Sequence, residues 1–440
     1  MNYAQIPGRL LRRCRDAFLD GWYFGDEESK SRLCHLQYNY TANIIANFIG
    51  GNFYTGLMLY LNADDGFIGL MSIFVFSANC LQLLSPLFME HFKQRKKILI
   101  LSRLIIQFIN IIFIGAIPFF PVGQQARLVL FGASVLVINL INAIIAPGMT
   151  VWHVQFLPNN VRVKYFSLLQ MTNGIVVAVF NLIGGAVVDK FKASGLEVWG
   201  FEALRIFAAL LLIYDLFLLS RMKEKEYEKG EKVDLKALLI RPLKEKLYLR
   251  TVGIAFTWSM IANIPGSYYS VYLLRDVEAS YSFINVVSTL NVPVLVLLVP
   301  VWSKFLRKYS WLKTCNVSIL LYALHYVMLA FVTKDNYIWL YPMILIYAYV
   351  LAVGINLSFS NIPYINIPKQ NQTLYIGFYS TMTNLGALLG VTFGRQFVTM
   401  TEELTVLGMG NKQLLVFLVG VLMVLGSAFI FLLRRGVKEE

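Results

Sequence analysis

The chain has 440 residues, 57% of them hydrophobic and only 15% charged, with a formal net charge of +14. A soluble globular protein carries about 25% charged residues, so this chain is too apolar for water. Its cysteines lack metal-ligand spacing, no Gly-x-x-x-x-Gly-Lys phosphate loop occurs, and His153 and His325 have no carboxylate within a helical turn, so neither an enzyme nor a nucleotide-driven pump is expected, and no cofactor or metal.

Residues 1–35 form a charged tail with Arg9, Arg12, Arg13 and Arg15 and without the apolar core of a cleavable signal. Within it Leu10, Cys14, Phe18 and Trp22 recur at helical spacing, which suits either an interfacial helix or a solvated tail. Apolar runs of about 20 residues then recur, each long enough to cross a hydrocarbon core of about 30 Å as a helix. Twelve spans are predicted, at 38–61, 66–89, 97–120, 126–157, 161–188, 199–221, 248–273, 281–306, 312–333, 337–366, 372–400 and 411–434. Their continuous apolarity excludes the alternating strands of a barrel and predicts an all-α integral membrane protein.

A polar linker at 222–247 separates an N-terminal six-helix bundle, 36–221, from a C-terminal one, 248–434, followed by a short tail at 435–440. The stretch "LKALLIRPL" in the linker has the pattern of a helix lying on the membrane surface. Lys and Arg crowd into the tails, the linker and alternate loops, while the other loops are nearly bare. That asymmetry predicts cytoplasmic termini and explains the basic charge by topology, leaving no reason to invoke nucleic acid.

The halves repeat one another. Ile-Ala-Asn followed by Gly occurs at Asn47 and Gly50 and again at Asn263 and Gly266. A proline and a basic cluster close spans 2 and 8 at Pro86 and Pro300, and Met-Thr-Asn recurs in spans 5 and 11 at Asn173 and Asn384. Three matches in the same order at a nearly constant offset indicate a duplicated six-helix unit.

Two six-helix halves, a basic linker and basic turns after spans 2 and 8 resemble the major facilitator superfamily (MFS) over residues 36–434. "PLFMEHFKQRKK" is similar to that family's turn after span 2, with Glu90 in place of its acid and Lys93, Arg95, Lys96 and Lys97 as its basic cluster, although both glycines are missing. "RVKYFS", Arg162–Ser167, is similar to the Arg-x-x-x-Phe-Ser pattern after span 4. Gly184-Gly185 ends span 5 as in the family's antiporter motif, but Phe180-Asn181 replaces its Gly-Pro.

The resemblance implies two pseudo-symmetric bundles rocking about a site lined by spans 1, 4, 7 and 10. On those spans the expected solute-binding residues are Asn43, Asn47, Asn142, Trp258, Asn263, Asn356 and Ser360, and the expected gating residues are Glu90, Arg162 and Arg395. Tyr40, Asn43, Asn47, Gly50 and Tyr54 share one helical face. The same residue types also cross-link membrane helices. Arg103 and Asp215 suit snorkelling or pairing, and Glu202 and Arg205 lie one turn apart.

These features imply a secondary or facilitative transporter of a small, mostly neutral polar organic solute. A drug or lipid exporter of the same fold is the alternative, ahead of a non-transporting receptor. No carboxylate lies mid-span in spans 1, 4, 7 or 10, leaving the coupling ion, H+ or Na+, open. The expected protein is a monomer among membrane lipids, multi-pass in a cell membrane (bacterial inner or plasma).

Overall fold

The computed structural model describes residues 28–89, 92–157, 159–224, 235–309, 311–359, 362, 372–406 and 408–434. Each of the twelve spans is helical there. Spans 4, 5 and 6 are single helices, Gln124–Val154, Asn159–Ala193 and Glu197–Arg221, as are spans 9 to 12, Trp311–Leu329, Tyr337–Phe359, Gln372–Met400 and Asn411–Arg434. Spans 2 and 8 change course midway, as Asp65–Cys80 then Ser85–Met89, and as Tyr281–Thr289 then Asn291–Lys308. Span 3 runs Lys96–Gln107 and widens into a π-helical turn at Phe108–Phe113. A linker helix, Leu235–Lys244, contains the stretch expected at the membrane surface.

Spans 1 and 7 are broken. Span 1 is Ser29–Phe48 followed by Gly51–Tyr60, and span 7 is Lys246–Ala262 followed by Tyr268–Val271 and a π-helical turn at Tyr272–Asp276. Both breaks fall on the repeated Ile-Ala-Asn-x-x-Gly motif, and Gly51 and Gly266 take positive φ values of 52° and 47° that a side chain resists. Among the described residues nine helices are long and apolar enough to cross a membrane; the spans outside that set are 1, 7 and 11. The duplication reaches the caps as well. Asp64 accepts the Phe67 amide at 2.6 Å to start span 2, and Ser280 accepts the Phe283 amide at 3.1 Å to start span 8.

Span 1 packs on spans 5 and 6, and span 9 on spans 10 and 12, while the halves meet through spans 2 and 11 and spans 5 and 8. The outer faces carry large apolar residues such as Leu297, 70% exposed, and Ile213, 68% exposed, which lipid would cover. Span 11 lies unusually close to span 7. A Cβ added at Gly386 would come 2.7 Å from the Phe256 carbonyl oxygen, and one at Gly390 or Gly394 would run into the Met260 or Ile264 carbonyl. Gly185 makes a similar approach in the other helix pair, where a Cβ would meet the Ser282 backbone at 2.9 Å.

The first helix begins at Ser29, and within it Arg32 is fully buried and donates to the Phe156 carbonyl at 3.1 Å and to Ser29 at 3.0 Å. The rest of the tail, with its Leu10-to-Trp22 pattern, lies outside the described residues.

Candidate solute pathway

The broken helices position the site, because an interrupted helix frees backbone groups that only neighbouring polar atoms can satisfy. Beneath the span 1 break lies a cavity of about 300 Å³ lined by Gly50, Gly51, Ser72, Gln107, Asn110, Asn139 and, from the other half, Ser267. Beneath the span 7 break lies one of about 370 Å³ lined by Asn263, Gly266, Ser288, His325, Tyr326 and Tyr349, among others. The pair follows the repeat. Ala46 and Ala262, Gly50 and Gly266, and Ser72 and Ser288 occupy corresponding places, with Gln107 and His325 as counterparts from spans 3 and 9. Among the described residues neither lining includes Lys, Arg, Asp or Glu.

The asparagines bind chiefly their own helices. Asn43, Asn47 and Asn263 donate to the carbonyls of Asn39, Asn43 and Ser259 at 2.8, 2.8 and 2.7 Å. Asn47 also accepts from Asn181 of span 5 at 3.3 Å, and the Asn181 carbonyl accepts Asn285 of span 8 at 2.9 Å. Three asparagines thus run from span 1 across the junction between the halves, whereas Asn263 lines the second cavity. Trp258 is half-buried, stacked on Phe359 at 5.5 Å with its ring edge toward Tyr322 at 6.2 Å. Asn142 and Asn356 are exposed. Ser360 and Glu90 lie outside the described residues, as does the side chain of Arg162.

Among the described residues, charged contacts between the halves gather at the end of the molecule where span 2 begins. Asp65 pairs with Arg275 and, at 3.0 Å, with Lys412, which also reaches Asp276 at 3.3 Å. Arg395 donates to the Gly66 carbonyl at 2.9 Å, and Tyr268 to the Asp65 carbonyl at 2.8 Å. Nearby, Asp189 at the end of span 5 accepts the first backbone amides of span 8, Tyr281 at 3.0 Å and Ser282 at 2.7 Å. A carboxylate there also favours the positive end of the span 8 helix. Of the three expected gating residues, Arg395 is the one whose bridge between halves is described.

Spans 3 and 6 share two further polar contacts that involve charged side chains. Arg103 pairs with the fully buried Asp215 at 3.1 Å, and Thr41 donates to the same carboxylate at 2.8 Å. Arg205 sits 3.9 Å from Glu202, too far for a hydrogen bond. It donates instead to the Asn110 carbonyl at 2.5 Å, within the π-helical turn that leaves that oxygen available. Sequence reasoning missed His35, whose ring lies 4.6 Å from that of His153 and whose Nδ1 is 2.7 Å from the Tyr165 hydroxyl. Among the described residues no group of His, Cys, Asp and Glu is arranged to hold a metal ion.

Two repeat-related helical bundles with paired polar cavities at broken spans define a polytopic transport protein. The family model of the Major Facilitator Superfamily matches residues 39–391, and the chain belongs to that family of membrane transporters. No curated protein sequence matches it. Among solved structures, the nucleoside transporter NupG aligns with a TM-score of 0.69 at 12% identity, over 92% of this chain and 99% of that one. A bacterial homolog of the human lysosomal transporter Spinster, inward-facing, gives 0.65 at 16% identity over 93% and 97% of the two chains. The D-xylose–proton symporter gives 0.65 at 13% identity over 95% and 98%. At these identities the likeness is one of fold.

Proposed function

We propose that this transporter carries a small, uncharged, polar organic solute by alternating access, the breaks in spans 1 and 7 serving as its moving joints. The observation that carries the reading is the matched pair of cavities at those breaks, lined by amides, hydroxyls and aromatic rings without a charged side chain. Amides and hydroxyls replace a solute's water, whereas an ion would find no counter-charge there. Arg395, with Glu90 and Arg162 by analogy, serves the gates, and a gradient of H+ or Na+ is the candidate energy source. Among the neighbours, the name of the xylose symporter makes it a proton symporter, which suits such coupling.

Uptake of labelled sugars, polyols and amides into proteoliposomes tests this reading, and flux restricted to lipophilic cations would overturn it. Asn263→Leu is expected to weaken binding of a transported solute about tenfold with little change in thermal stability. Asn47→Leu loses its bond to Asn181 and should cost about 0.6–1.7 kcal/mol of stability first. Measuring affinity and unfolding on the same purified variants separates the two roles; an unchanged affinity in Asn263→Leu would remove that residue from the site.

Orientation is proposed from charge. Cysteines at Asp64 and at Lys223 should react with an impermeant thiol reagent from opposite sides, the Asp64 position from outside the cell. Labelling from one side alone would refute the expected topology.

A further inference from the structure

The cavity beneath the span 7 break has a feature that solute passage leaves unexplained. His325 is 3% exposed, yet among the described residues neither of its ring nitrogens has a hydrogen-bond partner. Buried polar groups rarely stay unsatisfied, and an orphan in the wall of a cavity points to something that completes it. A neutral imidazole presents one N–H donor and one lone pair. The cavity is also lined by Tyr269, Tyr322, Tyr326, Tyr341 and Tyr349. Tyr322 and Tyr326 lie 4.8 and 4.5 Å from the imidazole, centroid to centroid.

We propose that this cavity is a binding site for an uncharged planar ring with hydrogen-bonding groups on its edge, one of which meets a ring nitrogen of His325. The proposal rests on the transporter reading for the ligand's route in and out, but not for binding itself. The absence of any Lys, Arg, Asp or Glu from the lining argues for an uncharged ligand, since an ion would be stranded. Five tyrosine rings argue for a flat one, because aromatic faces and edges pack best against another ring. The volume, about 370 Å³, accommodates a small heterocycle with room for water. The counterpart cavity is a useful contrast. Gln107, 5% exposed, likewise leaves its Oε1 unpartnered, but Ser72, Asn110 and Asn139 surround it, with Tyr54 as the one aromatic ring. The duplication kept the orphan polar group in both halves and gave only one of them an aromatic box.

Uracil serves as the probe, because its flat, uncharged ring carries N–H and C=O groups on its edge. The comparison compounds are 2-piperidone, which has the same edge on a saturated ring, and tetramethylammonium, which an aromatic cage could hold as a cation. Thermal shift and saturation-transfer NMR on the full-length protein in detergent give the affinities. Wild-type protein should bind uracil in preference to both other compounds. His325→Phe should weaken uracil binding at least about tenfold, while His325→Gln, which retains a donor and an acceptor, should stay within about threefold. If His325→Phe does not fold, Tyr326→Leu, which removes one wall of the box, should weaken binding by about fivefold or more. No uracil binding, or binding that these variants leave intact, overturns the site and leaves the cavity to water. Equal binding of 2-piperidone or tetramethylammonium overturns the ligand class. Flux is scored separately in proteoliposomes. Transport of other solutes without uracil binding defeats this site alone, and His325-dependent binding without any flux defeats the transporter reading alone.

Discussion

Gly390→Leu should destabilise the protein by about 3 kcal/mol or more, at or beyond the upper end of ordinary overpacking. The neighbour that a side chain would meet is the Met260 carbonyl of span 7, two residues before that helix ends at Ala262, so backbone and not a flexible side chain has to give way. Gly386 and Gly394 make the same approach one turn to either side, which leaves span 11 no rotation that relieves the clash. Gly123→Ala is the contrast. A Cβ there meets nothing within 4 Å and its φ of −62° suits any residue, so only the poorer helix cap opposes the change, which should cost no more than about 1 kcal/mol. Denaturant unfolding in detergent measures both, and a Gly390→Leu protein as stable as wild type would show that spans 7 and 11 are not held at backbone contact.

Asp65→Asn should release the junction at the start of span 2. One carboxylate there holds two cations of the other half, Arg275 and Lys412, and Lys412 is only 7% exposed. Removing the charge leaves Lys412 with Asp276 at 3.3 Å, an acid of its own half, so the attraction between halves is lost while the fold within each half is kept. A coupling of about 1–3 kcal/mol corresponds to a 5- to 150-fold change in the balance between end states, here toward opening at this end. A cysteine at Ser270, which bonds across to Asn52 at 2.9 Å, reports the change through its rate of labelling. That rate should rise at least about fivefold in Asp65→Asn. Glu278→Gln disturbs only an exposed pair with Lys334 inside one half and should leave the rate unchanged. Equal rates in Asp65→Asn and wild type would remove Asp65 from gating.

The architecture was legible because membrane helices announce themselves by length and apolarity, and because the duplicated motifs kept their order. The repeated Ile-Ala-Asn-x-x-Gly was visible too, but reading it as a solute-facing stripe missed its backbone role: it is where both helices stop. A glycine three residues beyond an asparagine is a stop signal in a soluble helix, and inside a membrane span it deserved the same reading. The Gly386, Gly390 and Gly394 stripe was readable from its four-residue spacing alone. The cavity linings were less accessible. Gln107 and His325 sit on spans 3 and 9, helices that the family resemblance does not place at the site, and only the packing of four spans around each break brings them in. Arg205 escaped for a related reason, since its partner is a backbone oxygen released by a widened turn that no side-chain pattern records.

The exchange between spans 3 and 6 bears on how the chain is made. An arginine or aspartate at the centre of a span costs roughly 2.5–3.5 kcal/mol to place in lipid. Span 6 carries both Arg205 and Asp215, and in the finished protein both are satisfied by span 3, through the Asn110 carbonyl and the Arg103 guanidinium. Synthesis therefore delivers the receptor before the cargo: span 3 is already in place when span 6 leaves the ribosome, and the costly helix enters the membrane against a partner prepared for its charges.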